Sequence, residues 1–180
     1  QLALSCPGVS DAALLIRPAG GTAPYSVQWN TGSSDTLISN LAAGLYNVVV
    51  TDSKGCTQNL DTLLQAPTVI NSSLSLSQAI SCNGATDANI VLNINGGTPA
   101  FNFLWQDGNT DQNRIGVGAG TYSVEIRDAN NCLQRDTIQV DEPALLTAQL
   151  NLIDSASCAG AQDAIVEATA SGGTANYTYL

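Results

Sequence analysis

Apolar and polar residues alternate along the segment 44–52, which reads Gly-Leu-Tyr-Asn-Val-Val-Val-Thr-Asp. A period of two is typical of a strand with one buried face and one exposed face. The pattern returns 76 positions later in the segment 120–128, which reads Gly-Thr-Tyr-Ser-Val-Glu-Ile-Arg-Asp. A turn and a cysteine follow both segments, at Cys56 and Cys132. We therefore expect a β-strand and the turn after it to recur along the chain.

Further short strands are predicted by the same criterion in the segments 72–77, 90–94, 101–105, 115–117 and 133–140. Glycine, proline and asparagine separate them, and no stretch has a helical period. Six or seven short strands at regular spacing favour a sandwich. A cysteine, a tryptophan about 23 residues further on and a second cysteine are typical of immunoglobulin-like cores. The sequence thus predicts an all-β fold of tandem immunoglobulin-like β-sandwich repeats of about 76 residues.

The same offset aligns the whole chain into three repeats. Repeat 1 is assigned to residues 1–67 and lacks its N-terminal strand, repeat 2 to the complete stretch 68–143, and repeat 3 to the truncated stretch 144–180. Pro67 and Pro143 close the first two repeats and are expected to stiffen the passage to the next one. We expect the chain to be an excerpt of a longer tandem array that forms a semi-rigid rod.

The five cysteines recur with the repeat. Cys6 and Cys56 lie 50 positions apart, as do Cys82 and Cys132, which favours one disulfide inside each repeat. A bond between Cys56 and Cys82, which would join adjacent repeats, is the alternative. Cys158 is left unpaired by truncation, with its partner expected near position 208. Disulfides imply an oxidising compartment outside the cytoplasm.

Composition narrows the function classes. A net charge of −10 repels phosphate backbones and anionic lipid, which argues against nucleic-acid binding and membrane-surface binding. No apolar run reaches the length of a membrane span, which argues against direct membrane insertion. The chain contains no histidine, so nucleophilic triads that rely on histidine are excluded. Without histidine or closely spaced cysteines, zinc is not expected either.

Two sets of aspartates recur at turns. Asp11, Asp87 and Asp163 form one set, and Asp52 and Asp128 form the other. Paired carboxylates can cleave glycosides, but an aspartate at a turn commonly accepts hydrogen bonds from nearby backbone amides. We interpret both sets as turn-forming, and we expect no catalytic residue in the chain.

A calcium loop is suggested by the alternate oxygens of Asp107, Asn109 and Asp111. The twelfth position of that loop is glycine instead of the bidentate glutamate that such loops need. We therefore predict a solvated loop, with no metal and no cofactor. Calcium held near the repeat junctions by Asp141 or Asp154 is a comparable alternative to the calcium loop.

Four aromatic residues are predicted to lie in the cores of the first two repeats: Trp29, Tyr46, Trp105 and Tyr122. Each lies on a strand face with other apolar residues, and aliphatic partners are available on neighbouring strands. The alternative is an exposed aromatic platform on which a ligand stacks.

Taken together, the recurring motifs resemble the SprB repeat of large surface adhesins from gliding Bacteroidetes. The resemblance covers essentially the whole chain. It departs from the pattern at Asn131, where the usual residue is glycine, and at Ala23-Pro24, which replaces proline and an aromatic residue. The residues that carry it are Cys82-Asn83-Gly84, Asp87, Gly96-Gly97-Thr98-Pro99, Trp105, Ala119-Gly120-Thr121-Tyr122, Val124, Asp128 and Cys132, with Gly55-Cys56 in repeat 1.

This resemblance implies a secreted protein displayed on the bacterial cell surface, exported by the type IX system and coupled to the gliding machinery at the outer membrane. It also implies O-glycosylation at Asp-(Ser/Thr)-aliphatic sites, which are present at Thr36, Thr62, Thr137 and Ser155. Strand parity favours Thr137, which alternates away from the apolar face, over Thr62, which shares it.

The function expected from these features is that of a structural and adhesive repeat segment of a large surface adhesin, used in attachment and gliding. Its partners would be neighbouring repeats of the same chain and a surface polysaccharide or other extracellular ligand. The alternative is a noncatalytic carbohydrate-binding or spacer module of a secreted multidomain enzyme. Many further repeats beyond the excerpt would favour the adhesin, whereas a catalytic domain would favour the spacer.

Overall fold

The computed structural model describes residues 2–179, which contain thirteen β-strands. Five belong to repeat 1: β1 (Ala12–Leu15), β2 (Ser26–Trp29), β3 (Leu37–Leu41), β4 (Gly44–Thr51) and β5 (Thr57–Leu64). Six belong to repeat 2: β6 (Asn71–Gln78), β7 (Ala88–Asn95), β8 (Asn102–Trp105), β9 (Arg114–Val117), β10 (Gly120–Arg127) and β11 (Leu133–Val140). Two belong to repeat 3: β12 (Thr147–Asp154) and β13 (Ile165–Ser171). Over this part of the chain, no helix could span a bilayer.

Repeat 2 forms two three-stranded sheets, in the orders β6-β7-β9 and β11-β10-β8. Strand β7 pairs antiparallel with β9, with Ile90 opposite Arg114. The alternating pattern of β7 buries Ala88, Ile90 and Leu92, whereas Asn89 and Val91 between them are half-buried. The predicted all-β, sandwich-like class is therefore confirmed.

Repeat 1 forms the corresponding sheets with one strand fewer. Strands β2, β4 and β5 build one sheet, and β1 and β3 build the other. Strand β4 pairs with β5 along its whole length, from Gly44 opposite Leu64 to Thr51 opposite Thr57. No described strand of repeat 1 stands where β6 stands in repeat 2. Strand β1 consequently has β3 on one side and only an isolated bridge, from Ala13 to Leu2, on its other side.

Alternation along these strands produces one apolar core in repeat 1. Ala12 and Leu14 are buried from β1, and Val27 and Trp29 from β2, because residues two apart share a sheet face. The nine buried members are Leu4, Ala12, Leu14, Val27, Trp29, Ile38, Leu41, Val48 and Leu64, and Ile16, Tyr46 and Val50 pack against them.

By their contacts, the described residues divide into two compact units. The first comprises the described residues up to Asn71 together with Ile94–Asn102 and Ile126–Gln134. The second comprises Ser72–Asn93, Phe103–Glu125 and the described residues from Arg135 onward. Each unit thus draws on more than one sequence repeat. The repeat boundaries at 67/68 and 143/144 stay predictions.

Candidate functional site

A cluster of backbone amides surrounds Asp128, at the turn between β10 and β11. One carboxylate oxygen accepts hydrogen bonds from the amides of Asn130 and Cys132, at 2.9 and 3.0 Å. The other accepts the amide of Thr98 at 3.0 Å. Asp128 is only 1% exposed, so these backbone amides replace the water that would otherwise solvate its carboxylate. Its side chain joins two loops of the first compact unit.

Repeat 1 contains the same cluster around Asp52. This carboxylate accepts the amides of Lys54 and Cys56, both at 2.9 Å, and the amide of Thr22 at 3.0 Å. Hydrogen bonds from the backbone of Thr22 and then of Cys56 hold the pKa of Asp52 below its ordinary value. A carboxylate whose two oxygens both accept hydrogen bonds from backbone amides acts as a turn anchor. Asp52, which was a formal candidate for a catalytic carboxylate in the sequence, binds backbone amides of this chain through both oxygens.

The turn itself needs a left-handed residue, as its sequence predicts. Gly55 adopts a φ of 82° and Asn131, at the matching position, adopts 63°. Asparagine tolerates this region better than other residues with a side chain. The departure from the family pattern at Asn131 therefore leaves the turn unchanged.

The second aspartate set holds the loops that carry the other cysteines. Asp11, Asp87 and Asp163 accept the amides of Ser5, Ser81 and Ser157 at 3.1, 3.1 and 3.0 Å. In each case the serine side chain, followed by its amide, lowers the pKa of the aspartate. Cys6, Cys82 and Cys158 each follow one of these serines and occupy the same local structure.

Acid should therefore loosen these turns. A pKa below the ordinary value of 3.8 means that the folded chain binds fewer protons than the unfolded chain. The stabilisation is complete above the ordinary value and is lost as the pH falls through it toward the lowered values. We expect urea midpoints to be flat from neutral pH to about pH 5 and to fall below about pH 4. Asp11→Asn should make that fall smaller by the contribution of this one carboxyl group, whereas an equal fall in this variant would contradict the assignment.

A disulfide joins Cys6 to Cys132, with their Cα atoms 5.5 Å apart. This differs from both expected pairings, within a repeat and between Cys56 and Cys82. Cys56, Cys82 and Cys158 are exposed free thiols in the described structure. The bond thus connects a residue of repeat 1 with a residue of repeat 2, and both residues belong to the first compact unit.

The ends of β1 explain why Cys6 and Cys56 do not pair. Cys6 lies beside the start of β1, because Asp11 immediately precedes that strand and binds Ser5. Cys56 lies beyond the other end, because Asp52 binds the amide of Thr22. At about 3.3 Å per residue, the strand and its flanks separate these ends by roughly 15 Å, whereas bonded cysteines need Cα atoms about 4.4–6.8 Å apart.

The four predicted core aromatics satisfy their polar groups with nearby carbonyl groups. Trp29 and Trp105 are 4% and 1% exposed. Their indole nitrogens donate to the carbonyls of Asp35 and Asp111, each at 2.8 Å. The hydroxyls of Tyr46 and Tyr122 donate to carbonyls four residues earlier, at 3.0 Å in both repeats; these carbonyls belong to Ala42 and Gly118. Neither tryptophan presents a ring face on which a ligand could stack.

Arg114, for which the sequence predicted no role, begins β9 directly after the loop that resembled a calcium site. Its guanidinium forms a two-pronged ion pair with Asp107, at 3.0 and 2.6 Å, and lies 5.4 Å from the ring centre of Trp105 and 5.9 Å from that of Tyr122. This ion pair lowers the pKa of Asp107. Asn109 donates to Asp111 at 3.2 Å. Among the described residues, no group of three or more acidic, cysteine or histidine side chains could hold a metal ion.

Removal of the Arg114 side chain should destabilise repeat 2. Each ring contact of such a cation contributes about 0.5–1 kcal/mol, so we expect Arg114→Ala to lower the free energy of unfolding by about 1–2 kcal/mol. Arg135→Ala is the matched control, since the Arg135 side chain is 68% exposed and surface pairs contribute little. Urea unfolding followed by Trp105 fluorescence in a Trp29→Phe background measures both. Equal losses would show that the ring contacts are unimportant.

The predicted glycosylation residues lie in different surroundings. Thr36, Thr137 and Ser155 are exposed, whereas Thr62 is half-buried. The Thr137 hydroxyl lies 3.0 Å from the hydroxyl of Ser123 on β10. Exposure of Thr137 agrees with its strand parity, and the use of these residues as glycosylation sites stays a prediction.

Comparison with known families places these features in a recurring pattern. A family model described as the SprB repeat matches residues 4–34, 77–110 and 152–180, which is just over half of the chain. One match falls in each predicted repeat and contains the aspartate-held cysteine loop and the paired glycines of that repeat. No curated protein matches the chain.

Proposed function

The chain belongs to the SprB repeat family, and we propose that it is a structural and adhesive segment of a large secreted cell-surface adhesin used for surface attachment and gliding. The family is a structural repeat of cell-surface, adhesin-type proteins. A segment of this kind needs to keep its shape under tension and to present a polar surface. The described residues offer support for both requirements.

The observation that carries the proposal is the bond between Cys6 and Cys132, which closes 126 positions of chain into one covalent loop. Tension that enters before Cys6 and leaves after Cys132 passes through this bond instead of through the residues between them. The enclosed strands therefore remain connected even if a local turn opens. Such a cross-link suits a protein that is pulled by its attachment.

A surface for an extracellular ligand is available on the sheet of β8, β10 and β11. Its outer face carries a groove of about 530 Å³. Cross-strand pairs line it: the hydroxyls of Ser123 and Thr137, and an ion pair of 2.6 Å between Arg135 and Glu125. Hydroxyl and charged groups of this kind form hydrogen bonds with sugar hydroxyls, so we propose this face as the contact for a surface polysaccharide.

Export by the type IX system, coupling to the gliding machinery at the outer membrane and O-glycosylation are further parts of the proposal that rest on the family. Thr36, Thr137 and Ser155 are accessible for modification. Mass spectrometry of the protein isolated from its own cells would show added glycan at these residues. Unmodified peptides covering all of them would remove glycosylation from the proposal.

A spacer module of a secreted enzyme is the second candidate function. The apolar core of repeat 1 and the internally satisfied turns around Asp52 and Asp128 would serve a spacer equally well. Carbohydrate binding by aromatic stacking is the less favoured form of this alternative, because Trp29 and Trp105 are buried. The full reading frame separates the candidates, since many further repeats favour the adhesin and an adjoining catalytic domain favours the spacer.

Deletion of residues 1–180 from the parent protein tests the proposal directly. We expect the cells to detach at lower shear and to glide less, while hydrolytic activity of the secreted fraction stays unchanged. A parent protein shortened by an equal number of residues outside the repeats is the control. Normal attachment together with loss of a hydrolytic activity would contradict the adhesin and support the spacer.

A further inference from the structure

The edge of β4 that faces β2 is only partly covered by that strand. Strand β2 ends at Trp29, which lies opposite Val48, whereas β5 pairs with β4 along its whole length. The segment 44–47 therefore extends past the end of β2, and we call it the uncovered edge. Backbone N–H and C=O groups in such a position offer a template to which another strand can add.

One residue, Asn30, occupies this edge directly after β2. Its backbone amide donates to the carbonyl of Asn47 at 2.9 Å, as the amide of a continuing strand would. Its side-chain Oδ1 accepts the amide of Asn47 at 3.3 Å, and its Nδ2 donates to the carbonyl of Leu45 at 3.1 Å. The primary amide of Asn30 thus takes the place of the next peptide group of a strand.

Side-chain amides close two edges of repeat 2 in the same way. Gln106, at the position that matches Asn30, donates from Nε2 to the carbonyl of Thr121 at 2.5 Å. In the other sheet, Nε2 of Gln112 donates to the carbonyl of Leu92 at 2.9 Å, and the amide of Leu92 donates to Oδ1 of Asn113 at 3.0 Å. Closure of a strand edge by a side-chain amide is therefore a recurring feature of this chain.

The residues beside the closed edge differ between the two repeats. In repeat 1, Leu45 lies opposite Leu63 of β5, and these side chains are 63% and 58% exposed. In repeat 2 the matching residues are Thr121 and Gln139, which are hydrogen-bonded to each other through their side chains at 2.6 Å. Exposed apolar side chains beside an open strand edge favour edge-to-edge association of sheets. Repeat 1 consequently depends more on closure of this edge than repeat 2 does.

From these contacts we propose that the side chain of Asn30 prevents a second copy of this chain from adding to the uncovered edge. Without that amide, two uncovered edges pair antiparallel about a two-fold axis, and the exposed leucines add apolar contact beside the joined strands. Tandem sandwiches hold such edges at high local concentration, so each edge needs a closure of its own. Gln106 closes the matching edge of repeat 2, where the polar neighbours favour association less.

Substitution of Asn30 in the full chain, with the free thiols alkylated, tests the inference by sedimentation equilibrium. We expect Asn30→Ala to raise the weight-average mass above that of the unaltered chain by up to about twofold, the limit for two edges joined about a two-fold axis. Asn30→Gln should keep the mass of the unaltered chain, because glutamine closes the matching edge of repeat 2. An unchanged mass for Asn30→Ala, or an equal rise for Asn30→Gln, would overturn the proposal.

The polar pair of repeat 2 supplies a matched control. Asn30→Ala combined with Leu45→Thr and Leu63→Gln lacks the amide but carries the side chains found in repeat 2, so its mass should return to that of the unaltered chain. Gln106→Ala alone should not raise the mass, for the same reason. Association of the triple variant as strong as that of Asn30→Ala would show that a different surface joins the copies, and the proposal would fail.

Amide hydrogen exchange locates the effect of Asn30→Ala. At low protein concentration, where copies stay apart, the amide of Asn47 should exchange at least about tenfold faster than in the unaltered chain, because it has lost its acceptor. The amide of Trp105, which donates to the carbonyl of Asn109, should exchange at an unchanged rate. Unchanged exchange at Asn47 would contradict the assignment. Equal acceleration at both amides would show that Asn30 supports the fold as a whole and does not close an edge, which would also overturn it.

Discussion

Replacing Cys6 with serine is expected to lower the free energy of unfolding by about 4–5 kcal/mol. The bond to Cys132 closes a loop of 126 positions, and loop closure of that length restricts the unfolded chain by about this amount. The loss should appear as a lower urea midpoint without reductant. Added reductant should lower the midpoint of the unaltered chain to that of the variant.

The chain contains a matched control for this substitution. Cys82 lies in the loop of repeat 2 that is equivalent to the Cys6 loop of repeat 1, but it carries a free thiol. Cys82→Ser should therefore leave the urea midpoint unchanged. Cys56→Ser separates the structure from the pairing that spacing favoured. If it destabilises the chain as much as Cys6→Ser does, the bond lies within repeat 1 after all. Thiol titration of the unfolded, unreduced chain should find three thiols, at Cys56, Cys82 and Cys158.

Local alternation was enough to predict most strands of this fold. The segment 133–140 was expected as a strand and is β11, and the predicted strand at 72–77 lies within β6. These predictions succeed because one sheet face is buried in repeats 1 and 2, so the side-chain period of two is strongly expressed there. The repeat then transfers each assignment to the other copies.

The disulfide shows where a repeat pattern stops being informative. The spacing places one cysteine of each type in repeats 1 and 2 and favoured a partner in the same repeat, but it does not exclude a partner in the next repeat. The choice depends on which end of β1 each cysteine occupies. Hydrogen bonds to Asp11 and Asp52 determine that, and they are contacts between loops which periodicity does not encode.

The repeat pattern did not indicate a role for Arg114, because the matching position of repeat 1 is uncharged. Its counterpart in repeat 1 is Ile38, a buried apolar residue, so the recurring pattern marks the position as core. Only the pairing of β9 with β7 and the turn of the preceding loop bring the guanidinium to Asp107. Asp107, whose spacing from Asn109 and Asp111 resembled a calcium loop, is instead the ion-pair partner of Arg114.

The close contacts of the paired glycines were unpredictable for a related reason. The glycine pair reads as a break between strands in every repeat, and the sequence does not show what lies above it. The structure shows that a side chain at Gly96 would collide with the carbonyl of Val69, and one at Gly172 with the carbonyl of Leu145. A glycine retained for close approach and a glycine retained for a turn look alike until the neighbouring backbone is located.

Asp128→Ala should be the most damaging single substitution in the turns, with an expected loss of about 3–5 kcal/mol in the free energy of unfolding. It removes the acceptor of three amides, those of Thr98, Asn130 and Cys132, at a position that is 1% exposed. Each buried amide left without a partner costs about 1–3 kcal/mol, although local relaxation recovers part of the sum. Urea unfolding with the disulfide intact measures the loss.

Asp52→Ala removes the same three types of hydrogen bond in repeat 1, where Asp52 is half-buried and water can replace the carboxylate. Its effect should therefore be clearly smaller than that of Asp128→Ala. Equal losses would mean that burial does not set the strength of this anchor. A negligible loss in both variants would mean that the aspartates are not needed for the turns. The left-handed backbone conformations of Gly55 and Asn131 would then be sufficient to form them.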